Sequence, residues 1–215
     1  MWFRTRPYAL STRHVKFPDN VTAMSILYRF MYRIGFTPWD RVLPAELGEI
    51  VGALVPGRAL DLGSGQGAKS VFLARHGWQV TAVENVPRAM AEARRRASDA
   101  GVAIDFRAGD VTRLSELNLS PGYSLVFDFG CYHGLNRKQR DAYGEGVNAL
   151  AAPGATLLLM GFTRAVPPVP SGVSEADLLS HLGSSWKVSW THPAAWGGTA
   201  AMNRATAAWF CLVRS

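Results

Sequence analysis

The chain has 215 residues, of which 48% are hydrophobic and 18% charged, and its formal net charge is +7. This length, without a break in composition, suffices for one globular domain with a sizeable core, and the sequence shows no internal repeat, heptad run or low-complexity tail. The sequence contains no run of the roughly 20 apolar residues that a membrane span needs and no apolar secretory signal near its start, so we expect a cytoplasmic protein.

The first 40 residues differ in charge from the rest of the chain. Within the first 41 positions, 7 basic residues stand against 2 acidic ones, so most of the net charge lies there. Apolar residues recur at helical spacing between positions 20 and 34, which predicts an amphipathic helix. We expect residues 1–40 to form a helical arm that closes as a lid over a cofactor bound to the domain formed by residues 41–215. A helix that only packs on the domain is the alternative.

An acid followed by alternating glycines, Asp61 to Gly67 (DLGSGQG), precedes a helix that we predict over residues 68–76. Such a loop brings bare backbone and a helix N-terminus to a ligand, as nucleotide cofactors require. The glycines alone also fit the fingerprint of dinucleotide-binding folds. A carboxylate beside the turn does not suit a pyrophosphate, but it suits a cationic amino-acid group and a sulfonium. Asp61 therefore favours S-adenosylmethionine over NAD.

Acidic residues also follow the next two predicted strands. Glu84 ends the second strand, where a carboxylate can accept hydrogen bonds from both ribose hydroxyls of either cofactor. Asp110 follows the third strand, where it can accept a hydrogen bond from the exocyclic amine of adenine. A fourth strand, residues 124–129, leads directly into the sequence GCYHG. These strand ends are where a nucleotide cofactor and its partner would meet.

Strands and helices alternate through position 159, with further helices predicted over residues 87–100 and 137–151. This alternation indicates an α/β fold with a mainly parallel sheet covered on both faces. After it we expect a short capped helix from Ser174 and two last strands, residues 186–191 and 207–213.

Together these motifs resemble the class I S-adenosylmethionine-dependent methyltransferases, in particular the small-molecule branch related to thiopurine and halide methyltransferases. The resemblance implies a Rossmann-like, seven-stranded, mainly parallel sheet with helices on both faces and a C-terminal antiparallel hairpin. The chain lacks the Asn/Asp-Pro-Pro-Tyr/Phe motif of base and amide N-methyltransferases, which counts against a nucleic-acid base as acceptor. The segments that carry the resemblance are 37–40, 61–67, 84, 109–110, 127–133 and 152–159.

The resemblance also implies which residues contact the cofactor. In relatives, the glycine loop and its preceding acid hold the methionine moiety, while the acids after the second and third strands hold ribose and adenine. The cofactor contacts expected in this chain are Trp39, Asp61, Gly63, Ser64, Gly65, Gly67, Glu84, Asn85, Asp110, Val111, Asp128 and Phe129.

Methyl transfer to a hydroxyl needs an aligned acceptor and a group that removes its proton. His133, just after the fourth strand, is the expected catalytic base, and Tyr132 is the reserve catalytic residue. The alternative for His133 is a structural histidine bonded to the backbone. We expect no metal, although Asp110 and Asp128 leave a divalent cation open.

We therefore expect S-adenosylmethionine-dependent O-methylation of a hydroxyl on a small molecule, such as a saccharide or another hydroxylated metabolite. Two alternatives stay open: S- or N-methylation of a small heterocycle or thiol, and a regulatory protein that binds S-adenosylmethionine without turnover. The expected partner is a small-molecule acceptor, with neither nucleic acid nor membrane involved, and the protein is a monomer or a homodimer.

Overall fold

The computed structural model describes Phe30, Met31, Ile34, Thr37 and residues 43–164, 172–194 and 206–215. The predicted lid, residues 1–40, therefore lies almost entirely outside the described residues, and so does Trp39. The proposed division of the chain at residue 40 stays a prediction.

The described chain alternates between helices and strands, as predicted. Its α-helices are α1 Ala45–Gly52, α2 Ala68–Arg75, α3 Pro87–Asp99, α4 Arg137–Leu150 and α5 Glu175–Leu182. Its strands are β1 Arg58–Leu62, β2 Gln79–Glu84, β3 Asp105–Ala108, β4 Tyr123–Phe129, β5 Ala151–Phe162, β6 Trp186–Pro193 and β7 Ala207–Arg214.

The strands form one seven-stranded sheet in the order β3-β2-β1-β4-β5-β7-β6. Strands β1 to β5 are parallel, whereas β7 is antiparallel to both β5 and β6. The predicted fold class is confirmed, including the C-terminal antiparallel hairpin. Because the strand order reverses between β1 and β4, a crevice opens at their carboxyl ends, where ligands bind in folds of this kind.

Two apolar cores lie on opposite faces of the sheet, since neighbouring residues of each buried strand point in opposite directions. On one face α1, α2 and α3 pack against the sheet with a core that includes Leu47, Leu73, Ala93, Phe127 and Trp209. On the other face α4 and α5 pack against it with a core that includes Val126, Tyr143, Val147, Leu178 and Leu212. Burial on both faces explains why the parallel strands are nearly continuous apolar runs.

The helix ends carry the signals that the sequence offers for them. Asn136 and Gln139 form a reciprocal capping box at the start of α4, and Ser174 caps α5 by accepting the Asp177 N–H. Pro87 is the first residue of α3, where its missing N–H costs nothing. These caps fix where the helices begin and thereby how long the connections to the strand ends are.

Within the described residues, no helix is both long enough and apolar enough to cross a membrane.

Candidate active site

The glycine loop leaves the end of β1 and turns sharply into α2. Gly63, Gly65 and Gly67 have φ angles of +73°, +55° and +75°, which glycine adopts without a steric penalty. The N–H groups of Gly63 and Ser64 both donate to the carbonyl of Val83 on β2, at 2.9 and 3.1 Å. The loop is therefore fixed across the ends of two neighbouring strands.

Two of these glycines are required by contacts inside the protein. A Cβ on Gly63 would lie 2.7 Å from the Cys131 Sγ, and a Cβ on Gly67 would lie 2.8 Å from the Ala93 Cβ. Both separations are too short for any larger residue. The sequence predicts these glycines as ligand-approach positions, and the structure adds close packing against the turn after β4 and against α3.

The carboxylate of Glu84 holds the loop and the start of the next connection. Its Oε2 accepts the N–H of Gly65 at 2.8 Å, and its Oε1 accepts those of Asn85 and Val86 at 2.9 and 2.8 Å. Hydrogen bonds from N–H groups to an ionised carboxylate are roughly twice as strong as neutral ones. Glu84 thus organises the strand ends in addition to its expected contact with ribose.

Asp61 lies buried beneath the loop and accepts a 2.5 Å hydrogen bond from the Ser70 hydroxyl of α2. Burial raises the pKa of Asp61 to about 6, although the Ser70 bond and the Lys69 charge act in the opposite direction. A cationic ligand group would stabilise the ionised form of this desolvated carboxylate. This environment fits the predicted role of Asp61 towards a positively charged amino-acid moiety.

The acid after β3 shapes its own turn. Asp110 Oδ1 accepts hydrogen bonds from the backbone N–H and the hydroxyl of Thr112, at 2.9 and 2.8 Å. Asp110 is partly exposed, Val111 beside it is buried, and Asn85, which follows the neighbouring strand β2, is exposed. The arrangement leaves Asp110 and Asn85 accessible at the end of the crevice where adenine is expected.

Asp128, at the end of β4, faces the protein interior. Its carboxylate accepts hydrogen bonds from the N–H groups of Cys131 and Tyr132 and from the Tyr143 hydroxyl, at 2.8, 3.1 and 3.0 Å. Burial raises its pKa to about 7. These contacts give Asp128 a structural role, because it holds the 3₁₀ turn Tyr132–Gly134 against α4. Its expected cofactor contact stays a prediction.

Tyr132 is also turned towards the interior. Its ring is fully buried, lies 4.7 Å beneath the Arg140 guanidinium and meets the Tyr143 ring edge-on at 5.2 Å. Burial and the neighbouring charge of Asp177 raise the pKa of its hydroxyl. Tyr132 therefore presents no open face to a ligand here, and its reserve catalytic role has no geometric support.

His133 is only 4% exposed and stacks on Phe162 with ring centroids 4.5 Å apart. Its Nδ1 accepts the Phe162 backbone N–H at 3.4 Å, which places the proton of the neutral ring on Nε2. Burial, and then the Arg140 charge, lower the pKa of His133 to about 3. An imidazole that resists protonation and carries its hydrogen on Nε2 is suited to donate a hydrogen bond. It is poorly suited to act as a general base.

Three features of the site escape sequence reasoning. The Lys69 ammonium lies 4.3 Å from the centre of the Phe129 ring, where a cation–π contact forms. The Thr37 hydroxyl accepts a 3.2 Å hydrogen bond from the side-chain amide of Gln66, which links position 37 to the glycine loop. The Glu84 carboxylate accepts a hydrogen bond from the Gly65 N–H of the loop. Only the position of Lys69 in the first turn after the glycines could have drawn attention to it beforehand.

The donor set fits a nucleoside cofactor with a charged amino-acid end. Glu84, Asn85 and Asp110 offer oxygen acceptors for hydroxyl and amine groups, while Asp61 offers a desolvated carboxylate for a cation. Within the part of the chain that the structure describes, the buried Ser64 hydroxyl has no hydrogen-bond partner, which leaves a polar atom in the loop for a ligand. Among the same residues, no group of three or more His, Cys, Asp or Glu side chains is placed to hold a metal ion.

Comparison with known families and proteins agrees with this geometry. Residues 59–154, from β1 to the start of β5, match the family model described as a methyltransferase domain. A 2-heptyl-1-hydroxyquinolin-4(1H)-one methyltransferase from Mycobacteroides abscessus is 26% identical over 164 residues, which cover 73% of this chain and 71% of that protein. The region that matches the family model contains both the glycine loop and the strand-end acids.

Two further similarities extend this picture. A ubiquinone biosynthesis O-methyltransferase from Methylocella silvestris is 33% identical over 119 residues, covering 55% of this chain but only 41% of that longer protein. A magnesium protoporphyrin IX methyltransferase from Synechocystis, crystallised with S-adenosylhomocysteine, superposes with a TM-score of 0.68 at 19% identity, covering 89% of this chain and 99% of that one. At this identity the second likeness concerns the fold.

Proposed function

We propose that the chain is a class I S-adenosylmethionine-dependent methyltransferase that acts on a small molecule and methylates a hydroxyl oxygen of it. The observation that carries the proposal is the hydrogen bond from the glycine loop to the Glu84 carboxylate, together with the buried Asp61 at the start of that loop. Its place in the branch related to thiopurine and halide methyltransferases stays a prediction.

The cofactor contacts follow from the strand ends. We assign the ribose hydroxyls to Glu84, the adenine amine to Asp110 and the cationic amino-acid end to Asp61, and we keep Ser64 as a further contact. S-adenosylmethionine would supply an activated methyl group, which passes to a nucleophile aligned behind that carbon with S-adenosylhomocysteine as the leaving group. The protein has to bind and orient the cofactor and the acceptor and to exclude water, since no further covalent chemistry is required of it.

An oxygen acceptor is supported by the relatives. The protein from Methylocella silvestris is named an O-methyltransferase, and the name of the one from Mycobacteroides abscessus specifies a quinolone that carries a hydroxyl on its ring nitrogen. A hydroxyl on an aromatic or heteroaromatic ring ionises more readily than a sugar hydroxyl. Such an acceptor can bind as an oxyanion. Its site therefore has to hold that oxygen in place and has little need of a strong base.

We propose that His133 contacts this oxygen as a hydrogen-bond donor. Its Nδ1 accepts the Phe162 N–H, so its Nε2–H is the group available to a ligand. Nε2 lies near Gly130, since a Cβ on that glycine would stand 3.9 Å from it, and Gly130 immediately follows β4. The acceptor hydroxyl loses its proton to water and binds as an oxyanion, and a neutral donor at this strand end holds that oxygen in line with the methyl without a further proton transfer. This role replaces the general base that the sequence predicts.

Methyl transfer can be tested directly with ¹³C-methyl-labelled S-adenosylmethionine. The acceptors are 2-heptyl-1-hydroxyquinolin-4(1H)-one, a simple phenol, a saccharide, a thiol and a heterocyclic amine, each incubated separately with the enzyme. We expect the label on oxygen of the quinolone or phenol, which the ¹³C chemical shift of the product distinguishes from a methyl on sulfur or nitrogen. A label found only on sulfur or nitrogen would contradict O-methylation. Saturable cofactor binding without turnover on any acceptor would favour a regulatory protein.

A further inference from the structure

Arg140 is a buried cation of α4 that contacts the chain on both sides of His133. It is 3% exposed, and its guanidinium carbon lies 4.7 Å from the centre of the Tyr132 ring. Its Nε donates a hydrogen bond to the Leu135 carbonyl at 3.1 Å. Tyr132 directly precedes His133 and Leu135 follows two residues later. One planar group therefore holds the turn before and after this histidine.

The guanidinium is itself fixed by α5. Its Nη1 donates to the Asp177 Oδ1 at 2.8 Å and to the Gly172 carbonyl at 3.4 Å. A buried ion pair adds little net stability, because the attraction mainly offsets the cost of removing both charges from water. The rigid fork of donors on an arginine does, however, fix direction. The contribution of the Arg140–Asp177 pair is therefore geometric, since it sets the turn against α5 in one arrangement.

The His133 ring depends on the position of the turn. Its Nδ1 accepts the Phe162 N–H at 3.4 Å, which is at the long end of the hydrogen-bond range, and its stacking on Phe162 does not select one nitrogen. A small displacement of the turn would break that bond. The bond places the hydrogen of the neutral ring on Nε2. The groups that hold the turn therefore decide where the Nε2–H points.

Different groups hold the two ends of the turn. At its start the Asp128 carboxylate of β4 accepts the N–H groups of Cys131 and Tyr132. At its end the Leu135 carbonyl is bound by the Arg140 side chain. The sheet thus fixes where the turn begins, and the Arg140 fork on α4 fixes where it leads after the histidine.

We propose that Arg140, paired with Asp177, is a positioning residue for methyl transfer: it holds the turn Tyr132–Gly134 so that the His133 Nε2–H faces the acceptor oxygen. In this role Arg140 acts through His133 and does not itself bind the acceptor. The inference rests on the proposed function and adds to it a residue that lies outside the predicted site.

The test uses variants that separate the fork of donors from the charge. Arg140→Lys keeps a cation for Asp177 but replaces the planar fork with one compact ammonium. Arg140→Met combined with Asp177→Asn removes both charges, so that no buried carboxylate is left without its cation. Arg95→Met, which removes an exposed arginine from the surface ion pairs of α3, is the control.

Two measurements report on His133 and not on stability. Long-range ¹H–¹⁵N NMR correlations of protein labelled with ¹⁵N-histidine show which ring nitrogen carries the hydrogen, and the His133 signals are those missing from His133→Ala. Steady-state kinetics with 2-heptyl-1-hydroxyquinolin-4(1H)-one give kcat and KM. Calorimetric titration with S-adenosylhomocysteine tests the proposed function independently of Arg140.

We expect the wild-type His133 ring to carry its hydrogen on Nε2 between about pH 5.5 and about pH 8.5. In Arg140→Lys we expect signals of both neutral tautomers and a kcat lower by about 10-fold or more, with S-adenosylhomocysteine affinity nearly unchanged. The paired variant is expected to show the same changes. In addition the pKa of His133 is expected to rise in it, since the Arg140 charge that helps to lower that pKa is gone.

The control Arg95→Met is expected to match the wild type in every measurement. Arg140→Lys combined with His133→Ala is expected to have the kcat of His133→Ala alone, because the two residues act through one contact. A merely structural Arg140 would lower the melting temperature and leave the His133 signals as they are.

The proposal requires altered His133 signals and a lower kcat together, and either change without the other overturns it. A loss of kcat in Arg140→Lys that adds in full to the loss in His133→Ala also overturns it, as does a wild-type His133 that carries its hydrogen on Nδ1. If one Arg140 variant does not fold, the other decides. If the wild type binds S-adenosylhomocysteine but methylates no quinolone, the His133 signals decide alone. A wild type that does not bind S-adenosylhomocysteine contradicts the proposed function instead.

Discussion

The Oε2 atom of Glu84 accepts the backbone N–H of Gly65 across 2.8 Å, although the two residues are 19 positions apart. This bond joins the end of β2 to the middle of the glycine loop. The same carboxylate that is expected to bind ribose therefore also sets the conformation of the loop that is expected to hold the methionine moiety. Loss of Glu84 is consequently expected to affect both the loop and the ligand.

We expect Glu84→Ala to weaken S-adenosylhomocysteine binding by about 1–3 kcal/mol, the usual effect of deleting a charged hydrogen-bond partner. The melting temperature is also expected to fall, because three backbone N–H groups lose their acceptor. Calorimetric titration and thermal denaturation measure the two effects. Glu116→Ala, which removes an exposed carboxylate from the surface, is the control. Unchanged affinity in Glu84→Ala would remove Glu84 from the cofactor site.

Asp61→Asn is expected to separate binding from stability. Because burial raises the pKa of Asp61 from 3.8 to about 6, the folded state binds a proton more tightly than the unfolded state does. The ionised carboxylate therefore lowers the stability of the wild type increasingly as the pH rises through this interval. We expect the melting temperature of Asp61→Asn, relative to the wild type, to increase between about pH 4 and about pH 7.

The same variant is expected to lose about 1–3 kcal/mol of S-adenosylhomocysteine affinity at neutral pH. In the wild type, a cationic ligand group favours the ionised form of Asp61, so binding at about pH 6 is expected to release protons. Titrations in two buffers with different ionisation enthalpies measure that release. Asp61→Asn that binds as tightly as the wild type, with proton release unaltered, would show that the carboxylate does not face the ligand.

His133→Ala is expected to lower kcat by about 10²-fold, because loss of the donor leaves the acceptor oxygen poorly aligned with the methyl, with little change in S-adenosylhomocysteine affinity. Since burial lowers the pKa of His133 to about 3, the ring is neutral throughout the working pH range. The wild-type pH profile is therefore expected to show no rise caused by this histidine between about pH 5.5 and about pH 8.5. A rise in rate through that window that disappears in His133→Ala would show that His133 acts as a general base.

Tyr143→Phe tests whether Asp128 is structural. The variant removes the hydroxyl that donates to the Asp128 carboxylate at 3.0 Å and keeps the ring. We expect a loss of about 1–3 kcal/mol in the free energy of unfolding, because a buried acceptor loses a partner. Denaturant unfolding measures this loss, and S-adenosylhomocysteine affinity is expected to stay at the wild-type value. A large loss of affinity with unchanged stability would bring Asp128 back as a direct cofactor contact.

The sheet was predictable because each buried parallel strand is a run of apolar residues, and the segments between these runs have the apolar spacing of helices. The strand-end acids were predictable as well, since each stands at a strand end that the fold aligns on one edge of the sheet. The sequence could not show in which direction Asp128 and Tyr132 point. Their orientation depends on hydrogen bonds to Tyr143 and on the Arg140 guanidinium, both from α4.

The protonation behaviour of His133 was equally hidden. An imidazole after β4 matches a general base by position, but its pKa is set by burial on Phe162 and by the Arg140 charge. Lys69 was missed because a lysine in a first helical turn is normally exposed, and only the tertiary fold places it over Phe129. In each case the missing information was a contact between residues distant in the sequence.

The central claim, that the braced glycine loop binds S-adenosylmethionine, is tested most directly by calorimetric titration of the purified chain with S-adenosylhomocysteine and, separately, with NAD. We predict saturable binding of S-adenosylhomocysteine at one site and no measurable binding of NAD, because a buried carboxylate at position 61 repels a pyrophosphate. Binding of NAD without binding of S-adenosylhomocysteine would contradict the account.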